Sequence, residues 1–255
     1  MKPMMRQWLL ILCIVGIVMA GGCSLPDTNA SVNAQNATPE NSGDGAVSIS
    51  QREESPLMSD LPKLEGKATI VMTVNGSPIT IEVDGSAAPI TAGNFVDLVN
   101  QGVYDGVAFH RVVRDPQPFV VQGGDPQSKD PKVPMNRLGT GGFIDPATSK
   151  ERYIPLEIQP KNGDEPIYSK TFDQAKVGAS PALQHSRGAV AMARSAAPDS
   201  ASSQFYFALA DLPFLDGNYA VFGYVTDGMN VVDAIEQGDR IESAKVTDGL
   251  DNLKN

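Results

Sequence analysis

One arginine and two glutamines, each set in a mostly apolar run, are the chemistry-bearing residues of this chain. Arg111 follows Phe109-His110 and precedes Val112-Val113. Gln122 closes Phe119-Val120-Val121 and leads into Gly123-Gly124-Asp125, and Gln204 stands in Ser203-Gln204-Phe205-Tyr206-Phe207. A guanidinium is always charged, planar and carries its donors in a rigid fork. A glutamine inside an apolar strand must find hydrogen-bond partners, either in the core or on a ligand. The same segments supply no nucleophile with its base, no acid–base pair and no metal set. Such a group suits binding and polarising an amide without breaking it. The plainer alternative for Arg111 is a surface ion pair with Asp105 or Asp125.

Composition narrows the setting. The chain has 255 residues, 41% hydrophobic and 20% charged, enough for one globular domain with extensions. Its net charge of -10 comes without a basic stripe, which argues against a nucleic-acid partner. Both cysteines, Cys13 and Cys23, lie near the start, so the folded part has no thiol for a disulfide, a zinc finger or a nucleophile. His110 and His185 are the two imidazoles, and no HExxH or EF-hand pattern occurs; no metal or cofactor is expected. A serine hydrolase finds no support, because the hydroxyl-rich run Ser195 to Ser203 lacks a GxSxG or SxxK arrangement.

The first 23 residues read as an export signal. Lys2 and Arg6 precede an apolar core from Trp8 to Ala20, roughly 13 residues and short for a membrane span. Ala20-Gly21-Gly22-Cys23 resembles a bacterial lipoprotein processing site, with Cys23 as the lipidated first residue of the mature chain. An uncleaved anchor or ordinary cleavage nearby are the alternatives, and every version places the domain outside the cytoplasm. Residues 24–66, rich in Asn, Ser, Asp, Pro and Gly, bury too little apolar surface to order themselves and read as a tether.

The elements that must hold Arg111 and the glutamines begin at Lys67. Ala68–Val74 and Pro78–Val83 are β-rich runs joined by Asn75-Gly76, two residues that tolerate positive φ and so predict a hairpin. Pro89 opens a helix with Phe95, Leu98 and Val99 on one face and Gly102 near its end. Further strands are expected at Val107–Val113, Phe119–Gln122, Ala189–Ala193, Phe205–Ala208 and Val221–Val225, and a second helix at Met229–Gln237, stopped by Gly238. Many short strands and two helices argue for a mainly β fold, an antiparallel barrel capped by helices.

Phe109-His110-Arg111, Phe119-Val120-Val121-Gln122-Gly123-Gly124-Asp125, Ser203-Gln204-Phe205 and Phe214-Leu215-Asp216-Gly217 resemble, in order, the blocks of the cyclophilin family of peptidyl-prolyl isomerases. The resemblance covers about Ala68 to Asp248 and implies a closed eight-stranded barrel with a helix over each end, occupying residues 67–255. It implies Arg111 as the catalytic donor, with Gln122 and Gln204 positioning it and holding substrate backbone. Phe119, Val120, Tyr206 and Leu215 match the proline pocket; Gly139, in Gly139-Thr140-Gly141-Gly142, matches a loop bordering the groove. Ala193, Arg194, Phe214 and Tyr219 fall on its edges. His110 is expected to orient its neighbours and touch substrate slightly, since rotation about an amide transfers no proton; His185 is expected to be structural.

The implied function is rotation of X-Pro bonds in extracytoplasmic polypeptides by a monomer anchored through Cys23; a proline-peptide-binding chaperone or assembly partner is the alternative. Several positions depart from the family pattern. Phe214 stands where many members carry Trp, which implies weak cyclosporin binding. Arg194-Ser195 replaces an Asn-Ala pair and Tyr219 a His, choices expected to retune peptide preference. Asp115-Pro116-Gln117-Pro118 and Phe143–Leu183 are insertions. Within the longer one, Tyr153–Ile158 resembles a strand, and the rest reads as a partner-binding surface or, more simply, a solvated loop.

Overall fold

A computed structural model describes residues 56–254. In chain order these form α1 (Pro56–Ser59), β1 (Lys63–Leu64), β2 (Lys67–Val74), β3 (Ser77–Asp84), α2 (Pro89–Asn100), β4 (Arg111–Val113) and β5 (Val120–Gly123). There follow β6 (Ile144–Asp145), β7 (Lys150–Glu151), β8 (Glu157–Ile158), β9 (Ile167–Tyr168) and α3 (Phe172–Ala175). The chain ends with β10 (Ala189–Met192), β11 (Phe205–Ala208), β12 (Val221–Asp227), α4 (Met229–Ala234), β13 (Ile241–Asp248) and β14 (Leu253–Lys254).

Eight strands make one antiparallel sheet in the order β13-β2-β3-β12-β10-β11-β5-β4. The fold is mainly β, as expected, but the barrel is not closed: the sheet is an open, curled half-barrel, and no ladder joins β4 to β13. Its edges approach through one isolated antiparallel bridge, Ala108–Arg240, with backbone bonds from Ile241 N to Val107 O (2.9 Å) and from Phe109 N to Asp239 O (2.8 Å). Gly106 and Gly238, at φ of 80° and 106°, turn the chain on either side of this seam. The regular ladder therefore starts only at Arg111, and the expected strand Val107–Val113 is reduced to its last three residues.

The β2–β3 hairpin turns at Asn75 and Gly76, both at positive φ, with Val74 opposite Ser77. Strand alternation sends Ile70, Met72, Ile79, Ile81, Val121, Phe205, Phe207 and Phe222 into a fully buried core with Phe95 and Leu98 of α2. Helix α2 has the expected bounds, yet it is buried on all sides from Ile90 to Val99. β1, β13 and β14 pack against it, and the longer insertion covers more of it. Both carboxylate oxygens of the buried Glu157 accept N–H groups at the α2 N-terminus, Ile90 at 3.2 Å and Thr91 at 2.7 Å. Arg152 pairs with Asp97 on the same helix and lies over the Phe143 ring, 4.8 Å from its centroid.

Residues 143–183 are thus folded in part: Phe143, Ile154–Ile158 and Phe172 are buried while most of the remainder is exposed, and the expected strand Tyr153–Ile158 is reduced to Glu157–Ile158. The tether boundary also moves, since Leu64 is fully buried and β1 pairs with β14. A two-residue strand carries no periodicity that composition could reveal. Helix α4 stops at Ala234, three residues short of the expected end, where Ile235 turns extended. Its last carbonyls are taken by Arg114, from the edge of the shorter insertion. Among the described residues no helix is long and apolar enough to cross a membrane. The export signal, Cys23 and most of the tether lie outside the described residues.

Candidate active site

The face of the sheet opposite the core carries the candidate residues. In β5, Val120 and Gln122 point one way while Val121 joins the core. In β11, Tyr206 and Ala208 face outward while Phe205 and Phe207 face inward. Arg111 is paired with Gln122 across β4–β5, and Gln122 with Tyr206 across β5–β11, so the three stand side by side. Gln204, two residues from Tyr206, occupies the diagonal position that long side chains can reach.

These side chains form one hydrogen-bonded series. Arg111 Nη1 donates to Gln122 Oε1 (3.2 Å), Gln122 Nε2 to Gln204 Oε1 (3.1 Å), and Gln204 Nε2 to the carbonyl of Gly141 (2.7 Å). The guanidinium also lies over the Phe119 ring, 5.5 Å from its centroid. Arg111 makes no ion pair among the described residues; the alternative partners Asp105 and Asp125 are both engaged elsewhere. Asp105 accepts the backbone N–H of Ala244. Asp125 is fully buried; its Oδ2 accepts Gly139 N (2.7 Å) and Gly141 N (3.1 Å), and its Oδ1 accepts Gln127 N (2.9 Å).

Beside the guanidinium is a cavity of ≈ 200 Å³ lined by Arg111, Phe119, Val120, Gln122, Ala193, Arg194, Tyr206, Leu215 and Tyr219. Two neighbouring hollows share Gln122 with it. One, of ≈ 360 Å³, lies between Gly139–Gly141, Gln204, Arg194 and Glu151; the other, of ≈ 520 Å³, lies beside His110, Met135 and Leu138. The cavity therefore combines apolar side chains (Phe119, Val120, Ala193 and Leu215, with the two tyrosine rings) and the polar groups of Arg111, Gln122 and Arg194. Arg194 sits 4.7 Å from the Tyr219 centroid and donates to the carbonyls of Asn218 (2.6 Å) and Ser195 (2.9 Å).

Most of the expected residues thus converge on one groove. Gly139 borders both larger hollows but not the smaller cavity. Phe214 is also absent from the cavity lining; it is 65% exposed and stacks on Phe119 at 6.0 Å, extending the apolar rim. His110 borders the ≈ 520 Å³ hollow, with both ring nitrogens buried and unpartnered. Burial pushes its pKa below the usual imidazole value; Asp125 opposes that shift and Arg111 adds to it.

Sequence reasoning missed one support and the partners of another. Asp125 pins the Gly139–Gly141 loop, and its position directly after two glycines gave only a motif match. His185, expected to be structural, bonds through Nε2 to the Tyr206 hydroxyl (2.9 Å) and through Nδ1 to Asp216 Oδ1 (2.8 Å). The available signal was Tyr206 itself, because a phenol on a buried strand needs a partner.

The family model described as cyclophilin type peptidyl-prolyl cis-trans isomerase/CLD matches residues 69–253. A relative from Synechocystis, whose name places it among thylakoid lumen peptidyl-prolyl cis-trans isomerases, is 44% identical over 208 residues, covering 77% of this chain and 51% of that protein. A chloroplastic peptidyl-prolyl cis-trans isomerase of Arabidopsis thaliana is 38% identical over 214 residues, covering 77% of this chain and 46% of its own length. The chain thus spans about half the length of these two relatives. Among solved structures, a Cryptosporidium parvum cyclophilin type peptidyl-prolyl cis-trans isomerase superposes with a TM-score of 0.53 at 23% identity, over 71% of this chain and 98% of its own, a likeness of fold alone. The same protein crystallised in the presence of the dipeptide Ala-Pro gives 0.52.

Proposed function

The chain belongs to the cyclophilin type peptidyl-prolyl cis-trans isomerase family, and on that premise we propose that its groove rotates X-Pro bonds in polypeptides outside the cytoplasm. The observation that carries this reading is the series Arg111–Gln122–Gln204–Gly141 running beside a small cavity with apolar side chains on Phe119, Val120, Ala193 and Leu215.

Amide resonance imposes a barrier of about 18–20 kcal/mol on the C–N bond, and catalysis has to weaken that resonance. The cavity of Phe119, Val120, Ala193, Tyr206, Leu215 and Tyr219 grips the pyrrolidine ring, so that only one side of the bond turns. Gln122 holds one arm of the Arg111 fork and leaves its other N–H groups free for the prolyl nitrogen, whose lone pair emerges as the amide pyramidalises. A donor fixed before the bond twists stabilises the transition state without reorganisation, worth about 2.7–4 kcal/mol where one such donor has been removed from an enzyme. Gln204 and the carbonyls of the Gly139–Gly141 loop meet the substrate backbone in the adjoining hollow. No step moves a proton, so neither histidine acts as a base.

The crystallisation of the Cryptosporidium parvum neighbour in the presence of Ala-Pro supports a proline-bearing ligand, and the lumenal and chloroplastic names of the two relatives support a compartment outside the cytoplasm. Lipidation at Cys23 supplies the membrane anchor in this reading, with the domain working as a monomer on secreted or membrane-associated clients. The decisive experiment is proline isomerisation in an unstructured Ala-Pro peptide, comparing the protein with its Arg111→Ala variant. Catalysis that falls by about 10²–10³ in the variant is the expected result. A folded wild-type protein with no rate above background refutes the enzymatic reading and leaves proline-peptide binding as its role.

A further inference from the structure

A tyrosine makes a poor wall for an apolar ring unless its hydroxyl is engaged elsewhere. Tyr206 lines the ≈ 200 Å³ cavity, and its hydroxyl is turned away to Nε2 of His185 at 2.9 Å. The two rings run nearly parallel, 6.1 Å apart at 16°. Behind them, Asp216 Oδ1 stands 2.8 Å from His185 Nδ1 and also accepts the backbone N–H of His185 at 2.8 Å. A carboxylate only accepts, so Nδ1 carries the proton and Nε2 is left as the acceptor. The phenol must therefore donate into Nε2, which settles both the direction of its hydroxyl and the tilt of its ring.

The arrangement reaches a second wall of the cavity. Asp216 directly follows Leu215, and Leu212 N donates to His185 O at 2.7 Å, so the same pair anchors the turn that carries Leu215. Tyr219 packs edge-on against Tyr206 from the solvent side, at 6.2 Å and 82°.

Resting on the isomerase reading of the groove, we propose that Asp216 and His185 are positioning residues of the site, which fix the Tyr206 ring against the substrate proline through its phenol oxygen. The groups facing the imidazole are Asp216 from the turn and Tyr206 from β11. The nearby Arg187 is committed to Asp233 and to Leu209 O, Asp211 to Arg187 N, and the Tyr224 hydroxyl to Gln184. Burial holds His185 below the ordinary imidazole pKa against the pull of Asp216. Once acid protonates the ring, Nε2 becomes a donor and the Tyr206 hydroxyl must turn its proton elsewhere. His110 also stands beside the groove, so the acid limb that follows His185 is the one Tyr206→Phe abolishes.

The test is a double-mutant cycle on the full-length protein with His185→Gln and Tyr206→Phe, following isomerisation of an Ala-Pro peptide. In the wild-type background His185→Gln should lower kcat/KM by roughly five- to tenfold, the size of a coupling between contacting residues. The loss should fall on KM, because the pocket grips the ring in ground and transition states alike. In the Tyr206→Phe background the same change should alter the rate by less than about twofold, and the acid limb should disappear. Equal losses in both backgrounds, or a loss confined to kcat, overturn the proposal. Should His185→Gln fail to fold, the imidazole ¹⁵N spectrum of the wild-type protein decides. An Nδ1–H tautomer whose Nε2 signal moves on Tyr206→Phe supports the relay, and an Nε2–H tautomer refutes it. A wild-type protein without catalysis removes this inference together with the isomerase reading, whereas an active protein without coupling removes this inference alone.

Discussion

Asp125 offers a sharp separation of support from chemistry, because it touches the groove only through backbone. Its carboxylate accepts three N–H groups, from Gln127, Gly139 and Gly141, and is fully buried. Hydrogen bonds to a charged group contribute about 1.5–3 kcal/mol each. Gly139 and Gln127 are exposed and Gly141 half-exposed, so water can replace the lost acceptor once the side chain is gone, and removal also relieves the desolvation of a buried charge. The net effect of Asp125→Ala is then about 2–4 kcal/mol, below the simple sum. Freed from Asp125, the loop no longer fixes the Gly141 carbonyl that holds Gln204, and kcat/KM should fall about tenfold, equivalent to 1.4 kcal/mol. Asp125→Asn tells the two effects apart. Its amide oxygen can keep both glycine N–H groups while its NH₂ group faces Gln127, so stability falls by about 1.5–3 kcal/mol and activity stays within roughly twofold. Urea unfolding and peptide isomerisation on the same samples provide both numbers. Equal loss of activity in the two variants, or an Asp125→Ala cost under about 1 kcal/mol, refutes the reasoning.

Arg152→Ala leaves Asp97, whose side chain is only 10% exposed, with Gln101 Nε2 but no cation, and should destabilise by about 3 kcal/mol in urea; adding Asp97→Asn should recover part of that loss. Gly124→Ala should cost at least about 2 kcal/mol, because φ there is +91° and a Cβ would collide with the Ser203 carbonyl oxygen; an unchanged unfolding midpoint contradicts this. Both histidines have folded pKa values below their ordinary 6.5. The unfolded chain therefore takes up protons first, and stability present above 6.5 is lost as pH falls through the folded values. His110→Leu should flatten that slope, measured as urea midpoints between about pH 7.5 and 5.

The parts of this molecule that obey a local period were legible in the sequence. Asn75-Gly76 announces its hairpin, Pro89 its helix, and the alternation of Val120–Val121–Gln122 and Phe205–Tyr206–Phe207 puts the candidate residues on one face. What escaped depends on contacts distant in sequence. The seam pairs 106–109 with 238–241, and nothing in either stretch signals that its glycines stop the ladder and leave the barrel open. Strands β6 to β9 are two residues each, too short for any periodicity. Glu157 reaches helix α2 from 66 residues away, and His185 meets Asp216 from 31. Each of these is a buried polar group whose partner could not be named until the chain had folded.

Those buried polar contacts also explain how an exposed arginine at the end of an open sheet can be held still. Arg111 sits on a three-residue edge strand, a poor platform for a donor that must be fixed before the bond turns. Its rigidity comes from behind. Gln204, which anchors Gln122, follows two serines secured from the core: Asn94 Nδ2 donates to Ser202 O at 2.8 Å and the Tyr104 hydroxyl to Ser203 O at 2.9 Å. Ser203 Oγ in turn donates to Gly124 O at 2.8 Å, joining the start of β11 to the end of β5. Asn94 is on α2, and α2 is held at its start by Glu157 and along its side by Arg152, both from the longer insertion. The line of support therefore runs from the insertion through the helix and the paired serines to the guanidinium. A segment that reads as a surface loop is the outer wall on which the geometry of the groove depends, and loosening it at Glu157 or Arg152 should weaken catalysis without touching a residue that meets the substrate.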